Sequence, residues 1–327
     1  MIRRRRLIAV LAVAAVCAPG TWLRSEVSED LAPQIDVALI QGASHTSQAA
    51  WAVEGVWHYS TAHTRSFGGY SALVPLGSGR LRAFSDRGFR LSFAAPDHGN
   101  APTGEPPLVS RQPVGEARLA PVLFDIESAA RDAQTGEYWI GYENAHAIHR
   151  FGPGDEAGAI RWMADEFDWA VNGGLEAMAR LADGRFLAIP EGKDYALIFA
   201  SDPVASGDAR SIQFANPAPD YAVTDIAQLP DGRILLLMRN LAWDGVPPFE
   251  SLIAIGDPPT SEQAEPWAPE IALRLEGVLP RENYEGIAIE PRGDGRVTVW
   301  LISDDNLSAI QRTLLARLRF DPARADQ

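Results

Sequence analysis

The chain has 327 residues, 46% of them apolar, with 29 Lys and Arg against 43 Asp and Glu and a formal net charge of −14. That apolar content supplies a core and excludes a disordered chain, while the negative excess argues against nucleic acid as a partner. The single cysteine, Cys17, lies in the N-terminal leader, so thiol nucleophiles, disulfides and Cys-based zinc sites are excluded from everything after it.

In chain order, Arg3 to Arg6 followed by the apolar run Leu7–Ala18 read as a signal peptide or N-terminal anchor over residues 1–24. The run is short for a bilayer span, so the expectation is a periplasmic or secreted protein with no membrane span in the mature domain. Residues 25–34 read as a polar linker and residues 35–327 as one domain. Val37–Ile40 and Val53–Tyr59 have strand character. Five further segments, Arg80–Ser85, Tyr138–Tyr142, Arg185–Ile189, Arg233–Met238 and Arg296–Ile302, are short and apolar, and each follows a turn signal. Three of those signals are Asp183-Gly184, Asp231-Gly232 and Asp294-Gly295, which predict hairpins with type I′ turns.

A repeat underlies these hairpins. Gly-Tyr-Ser71, Asp-Ile-Glu127, Gly-Leu-Glu176, Val-Thr-Asp225 and Asn-Tyr-Glu285 each open a strand of small and apolar residues, at spacings of 56, 49, 49 and 60 residues. That is the scale of a four-stranded propeller blade. The return strands end on Asp86, Glu143, Glu191, Arg239 and Asp304, which places opener and closer at one end of each hairpin. The fold predicted is all-β, a β-propeller. Six blades is the preferred count, with five or seven left open; Val37–Ile40 and Val53–Tyr59 begin the sixth and Leu314–Phe320 completes it.

The motifs Phe67-Gly-Gly-Tyr-Ser71, Ser85-Asp-Arg-Gly88, Asp125-Ile-Glu127, Asn172-Gly-Gly-Leu-Glu176, Asn283-Tyr-Glu-Gly286 and Ser303-Asp-Asp-Asn306 resemble, in order, the phytase-like family described as having esterase-like activity of phytase. The resemblance covers roughly residues 50–320 and implies a propeller fold, extracytoplasmic placement and hydrolysis. Glu127-Ser and Glu176-Ala stand where Glu-Gly is expected, as in Glu285-Gly286, and mark divergence.

Carboxylates gathered near one axis repel one another, so Glu127, Glu176, Asp225 and Glu285 are the candidate ligands of a divalent cation, with Ca²⁺ favoured for a wide ring of oxygen donors. The competing reading has each carboxylate accepting hydrogen bonds from backbone amides of a neighbouring blade. Glu143 and Glu191 are candidate general bases, and Arg87, Lys193 and Arg239 candidate anion holders. The expected function is metal-assisted hydrolysis of a small phosphoester or ester, the alternative a non-catalytic ligand- or protein-binding propeller with a structural cation. His146 and His149 follow Glu143, and strand alternation is expected to place one of them near the site. Trp51, Trp57, Trp139, Trp162, Trp169 and Trp300 read as packing residues, and Trp243 as part of a rim loop.

Overall fold

Short runs of β-branched and aromatic residues bounded by Gly, Asp and Pro turns fold into twenty-two strands among the described residues. The computed structural model describes residues 29–62, 64–96, 105–170, 173–205 and 207–325. The leader with Cys17, residues 25–28 of the linker, and Asn172 lie outside these residues. No helix among the described residues is long and apolar enough to cross a membrane.

The chain begins with β1 (Ile35–Gln41), β2 (Ser44–His45) and β3 (Trp51–Thr61). The first blade then comprises β4 (Tyr70–Gly77), β5 (Arg80–Ser85), β6 (Phe89–Ala94) and β7 (Leu108–Arg111). The second comprises β8 (Ile126–Arg131), β9 (Tyr138–Tyr142), β10 (Ala147–Phe151) and β11 (Ala157–Trp162). The third follows with β12 (Leu175–Arg180), β13 (Phe186–Pro190), β14 (Tyr195–Phe199) and β15 (Ala209–Gln213). The fourth has β16 (Ala222–Gln228), β17 (Ile234–Leu241), β18 (Phe249–Gly256) and β19 (Glu270–Arg274). The last is built from β20 (Asn283–Pro291), β21 (Val297–Asp304) and β22 (Thr313–Phe320), continued outward by β3 and β1.

The propeller therefore has five blades, not six. Val53–Tyr59 does not start a blade of its own. It pairs with β22 from Thr313↔Tyr59 to Phe320↔Trp51, and Val37–Ile40 pairs outside it. N- and C-terminal strands close the ring within one sheet, which removes an edge that would otherwise stay open. The hydrophobic core agrees with this count. It divides into five clusters, one for each blade-to-blade interface. Strand alternation supplies them: Leu235 and Leu237 face the fifth blade, while Ile234, Leu236 and Met238 face the third.

The Asp-Gly hairpins are present but differ in turn type. Gly184, Gly232 and Gly295 have φ of 91°, 99° and 80°, whereas the aspartates before them have no positive φ. Gly184 N donates to Leu181 O at 2.9 Å, so glycine is the fourth residue of the turn rather than a central one. This is a type I turn with a bulged glycine, not type I′. Each aspartate also accepts the amide of the following arginine, at 3.0 Å for Asp183 and Arg185.

Trp51, Trp57, Trp139, Trp169 and Trp300 are buried, but Trp162 is 46% exposed on the outer strand β11. Trp57 belongs to the closing strand and is fully buried 6.3 Å from Trp300. Trp57→Ala should lower the unfolding free energy by about 3–5 kcal/mol in urea titration, because it opens a cavity in the sheet that closes the ring. A loss comparable to that of a surface substitution would mean that the closure does not depend on this contact.

Candidate axial carboxylate site

The five inner strands β4, β8, β12, β16 and β20 pack side by side around the axis, each touching the next. Each pairs antiparallel with its return strand, and each register breaks at its second or third residue. Tyr70↔Ser85, Ile126↔Tyr142, Leu175↔Pro190, Val223↔Met238 and Tyr284↔Ser303 are equivalent pairs. After each of them one residue is skipped: Ser71, Glu127, Glu176, Thr224 or Glu285. A bulge of this kind frees a side chain from the pleat and re-aims it.

The register moves one sequence assignment by a residue. Thr224, not Asp225, is the equivalent of Glu127, Glu176 and Glu285. Asp225 takes the next position, occupied elsewhere by Ala72, Ser128, Ala177 and Gly286, where the chain meets the neighbouring blade. Its carboxylate accepts Ile226 N and Ile287 N, each at 2.8 Å. Ser128 plays a similar part, donating its hydroxyl to Leu175 O at 2.7 Å. At Gly286 a Cβ would stand 2.8 Å from Ile302 Cγ2 and 3.0 Å from the Ala72 carbonyl carbon, which accounts for the glycine there.

Five carboxylates of the second and third blades come together. Asp125, Glu127 and Glu143 offer oxygens within 4.8 Å of one another, and so do Glu143, Glu176 and Glu191. The two groups share Glu143. None of the five forms an ion pair among the described residues. Burial and the mutual repulsion of these groups push Glu127 and Glu176 well above the usual carboxylate range. Glu143 is pushed up to about 7, by burial first and then by Asp125 and Glu191. Gly174 makes room for it: a Cβ there would lie 2.7 Å from Glu143 Cα. Asp125 stands two residues before Glu127 with φ of 62°, a left-handed backbone that Asp tolerates better than most residues.

The opposite side of the axis is neutralised internally. Arg239 Nη1 donates to Glu285 Oε1 at 2.8 Å and Asn283 Oδ1 at 2.9 Å, and Asn283 Nδ2 donates to the same Glu285 oxygen at 2.8 Å. Burial raises Glu285, while Arg239, Asn283 and the Ser71 hydroxyl pull it back. Arg87 Nε lies 3.3 Å from Asp86, and Nη2 donates to Phe67 O at 3.2 Å. Its remaining nitrogen, Nη1, is buried without a hydrogen-bond partner. Asp304 is buried and raised, by desolvation and then by Glu285 and Asp86.

Sequence reasoning thus named Glu127, Glu143, Glu176 and Glu191, which lie together, and Glu285 and Arg239, which pair across the axis from them. It did not select Asp125, although a polar residue at a position held by Gly69 and Gly174 in other blades was the available signal. His146 Nε2 lies 2.9 Å from Ala170 O, and His149 is buried on β10, two strands out from the axis. Trp243 is 80% exposed on the loop after β17, on the site's face.

Fold and site together define a five-bladed β-propeller with a carboxylate-rich axial mouth. The chain belongs to the phytase-like family: the family model described as esterase-like activity of phytase matches residues 65–307. No curated protein matches the sequence. Among solved structures, it shares 12% identity and a TM-score of 0.44 with the calcium-binding protein regucalcin from Agrobacterium tumefaciens, covering 89% of this chain and 93% of that one. A nidogen/laminin complex gives 10% identity, 0.42, and 89% and 95% coverage. YCF48 bound to D1 peptide gives 14%, 0.38, and 86% and 77%. Likenesses at that level leave function to be read from this chain's own residues.

The raised carboxyls fix a sign for pH dependence. In cation-free protein the folded state binds protons more tightly than the unfolded chain. The contribution of the raised carboxyls to stability is therefore fully present below the ordinary glutamate range and is lost as pH rises through about 7. The melting temperature of chelator-treated protein should fall between about pH 5 and about pH 8, and the fall should be smaller in Glu143→Gln. An increase over that interval would contradict the repulsion described here.

Proposed function

We propose that this protein is a hydrolase of phosphoesters or esters assisted by a divalent cation. The observation that carries the reading is the pair of carboxylate groups joined at Glu143, with no basic side chain among the described residues ion-paired to any member. An all-oxygen, acidic donor set suits a hard cation, and its irregular spread over two blades suits Ca²⁺ better than Mg²⁺. Glu127 with Asp125 on one side of Glu143, and Glu176 on the other, would supply the cation's oxygen donors. Asp225 is left out of this set because backbone amides occupy it, and Glu285 because Arg239 does. When bound, the cation supplies Lewis acidity that polarises a phosphoryl or acyl oxygen.

The chain's own residues supply proton transfer and orientation. Glu143, which adjoins both carboxylate groups, is placed to give and take a proton. Glu191, exposed at the mouth, is the second proton carrier. Arg239 fixes Glu285 as a counter-charge across the axis, and Arg87 does the same for Asp86.

Turnover of p-nitrophenyl phosphate and p-nitrophenyl acetate with added Ca²⁺ tests the activity. Glu127→Gln and Glu176→Gln should each lower kcat/KM at least about a hundredfold while the variants stay folded. Calorimetric titration of chelator-treated protein tests the cation separately. If Ca²⁺, Mg²⁺, Mn²⁺ and Zn²⁺ all fail to bind, the metal is removed from the proposal. If binding raises the melting temperature while neither ester turns over, the binding-propeller alternative replaces hydrolysis.

A further inference from the structure

Arg87, Arg239 and Lys193 are the candidate anion holders on the face that carries the carboxylates. The structure separates them. Arg239 is committed to Glu285 and Asn283. Arg87 is committed to Asp86 and the Phe67 carbonyl, and its spare nitrogen is buried. Lys193 is half-buried and has no hydrogen bond or ion pair among the described residues. It is also the only lysine in a chain with 43 Asp and Glu.

Its surroundings form a recess beside the site. A cavity of about 380 Å³ opens between the third and fourth blades, lined by Pro190, Lys193, Asn216, Tyr221, Ala222 and Val223 among others. Its inner wall is the pair of strand ends that lead into Glu191 and Thr224. The remaining polar groups are already engaged. Asn216 Nδ2 donates to Tyr221 O at 2.7 Å and its Oδ1 accepts Ala218 N at 2.8 Å. The Tyr221 hydroxyl donates to Glu250 at 3.2 Å. Asp194 and Asp220 also line the recess, but both are exposed to solvent. The Lys193 ammonium, open to solvent and without an ion pair among the described residues, stands next to an acidic site and is a place for an anion that arrives with the substrate.

We propose that Lys193 binds the anionic group of the substrate in this recess, so that the protein selects anionic esters, phosphomonoesters foremost, over neutral ones. The inference rests on the hydrolase reading for its catalytic half, but anion binding stands on its own. Amine acylation followed by mass spectrometry reads it directly, because the only other target is the chain's amino terminus. Inorganic phosphate should slow acylation of Lys193 at least about tenfold, with the terminal amine unaffected. An equal Lys193 rate with and without phosphate, both in Ca²⁺ and after chelation, overturns the proposal.

Kinetics give the second arm. Lys193→Met should raise KM for p-nitrophenyl phosphate about tenfold and leave p-nitrophenyl acetate unchanged. A parallel loss on both esters would overturn the role in selection. Protection by phosphate without turnover of either ester would sink the hydrolase reading and leave the anion site standing.

Discussion

At the start of every inner strand, one residue is extra to the antiparallel pairing, and the site is built from these residues. An unbulged strand would send alternate side chains into the two blade interfaces, where a carboxylate would be buried among Leu, Ile and Ala. The bulge relieves that conflict. Glu127, Glu176 and Glu285 leave the pleat, and the residue after each returns to the interface. Small residues, or an aspartate with its oxygens held by amides, then fill the interface. Site and packing thus share one local device, repeated five times.

The repetition is not symmetric in charge, and that asymmetry organises the chemistry. On the side of the fourth, fifth and first blades, Arg239 and Arg87 offset Glu285 and Asp86. On the side of the second and third blades, five carboxylates lie close with no such partner. Interaction between like charges grows as water is excluded, so Glu127, Glu143 and Glu176 hold protons above the ordinary carboxylate range. The opener positions Ser71 and Thr224 lower the charge where the ring would otherwise be acidic throughout. The hydroxyl of Ser71 then serves Glu285.

Much of this was legible in the sequence because it repeats. Openers about one blade apart, closers on the return strands and Asp-Gly turns together specify hairpins that begin and end on one face. What was not legible depends on register and on closure. Asp225 reads as the opener of the fourth blade because a carboxylate looks like its neighbours in type, and periodicity cannot locate a one-residue bulge. The blade count failed for a related reason. Val53–Tyr59 has the composition of a strand, and composition does not say whether a strand starts a sheet or completes one begun at the other end of the chain.

The blade count bears on the site itself. Five inner strands enclose a narrower axis than six, so side chains from adjacent strands meet at shorter range. Glu143, a closing residue of the second blade, thereby reaches both Glu127 on its own blade and Glu176 on the next. In a wider ring the carboxylates could each find water and keep ordinary acidity. Held this close and half-buried, they are driven above it, and Glu143 into the neutral range. The contact between blades that closes the ring with five units is therefore also what crowds the axial acids and raises their affinity for protons.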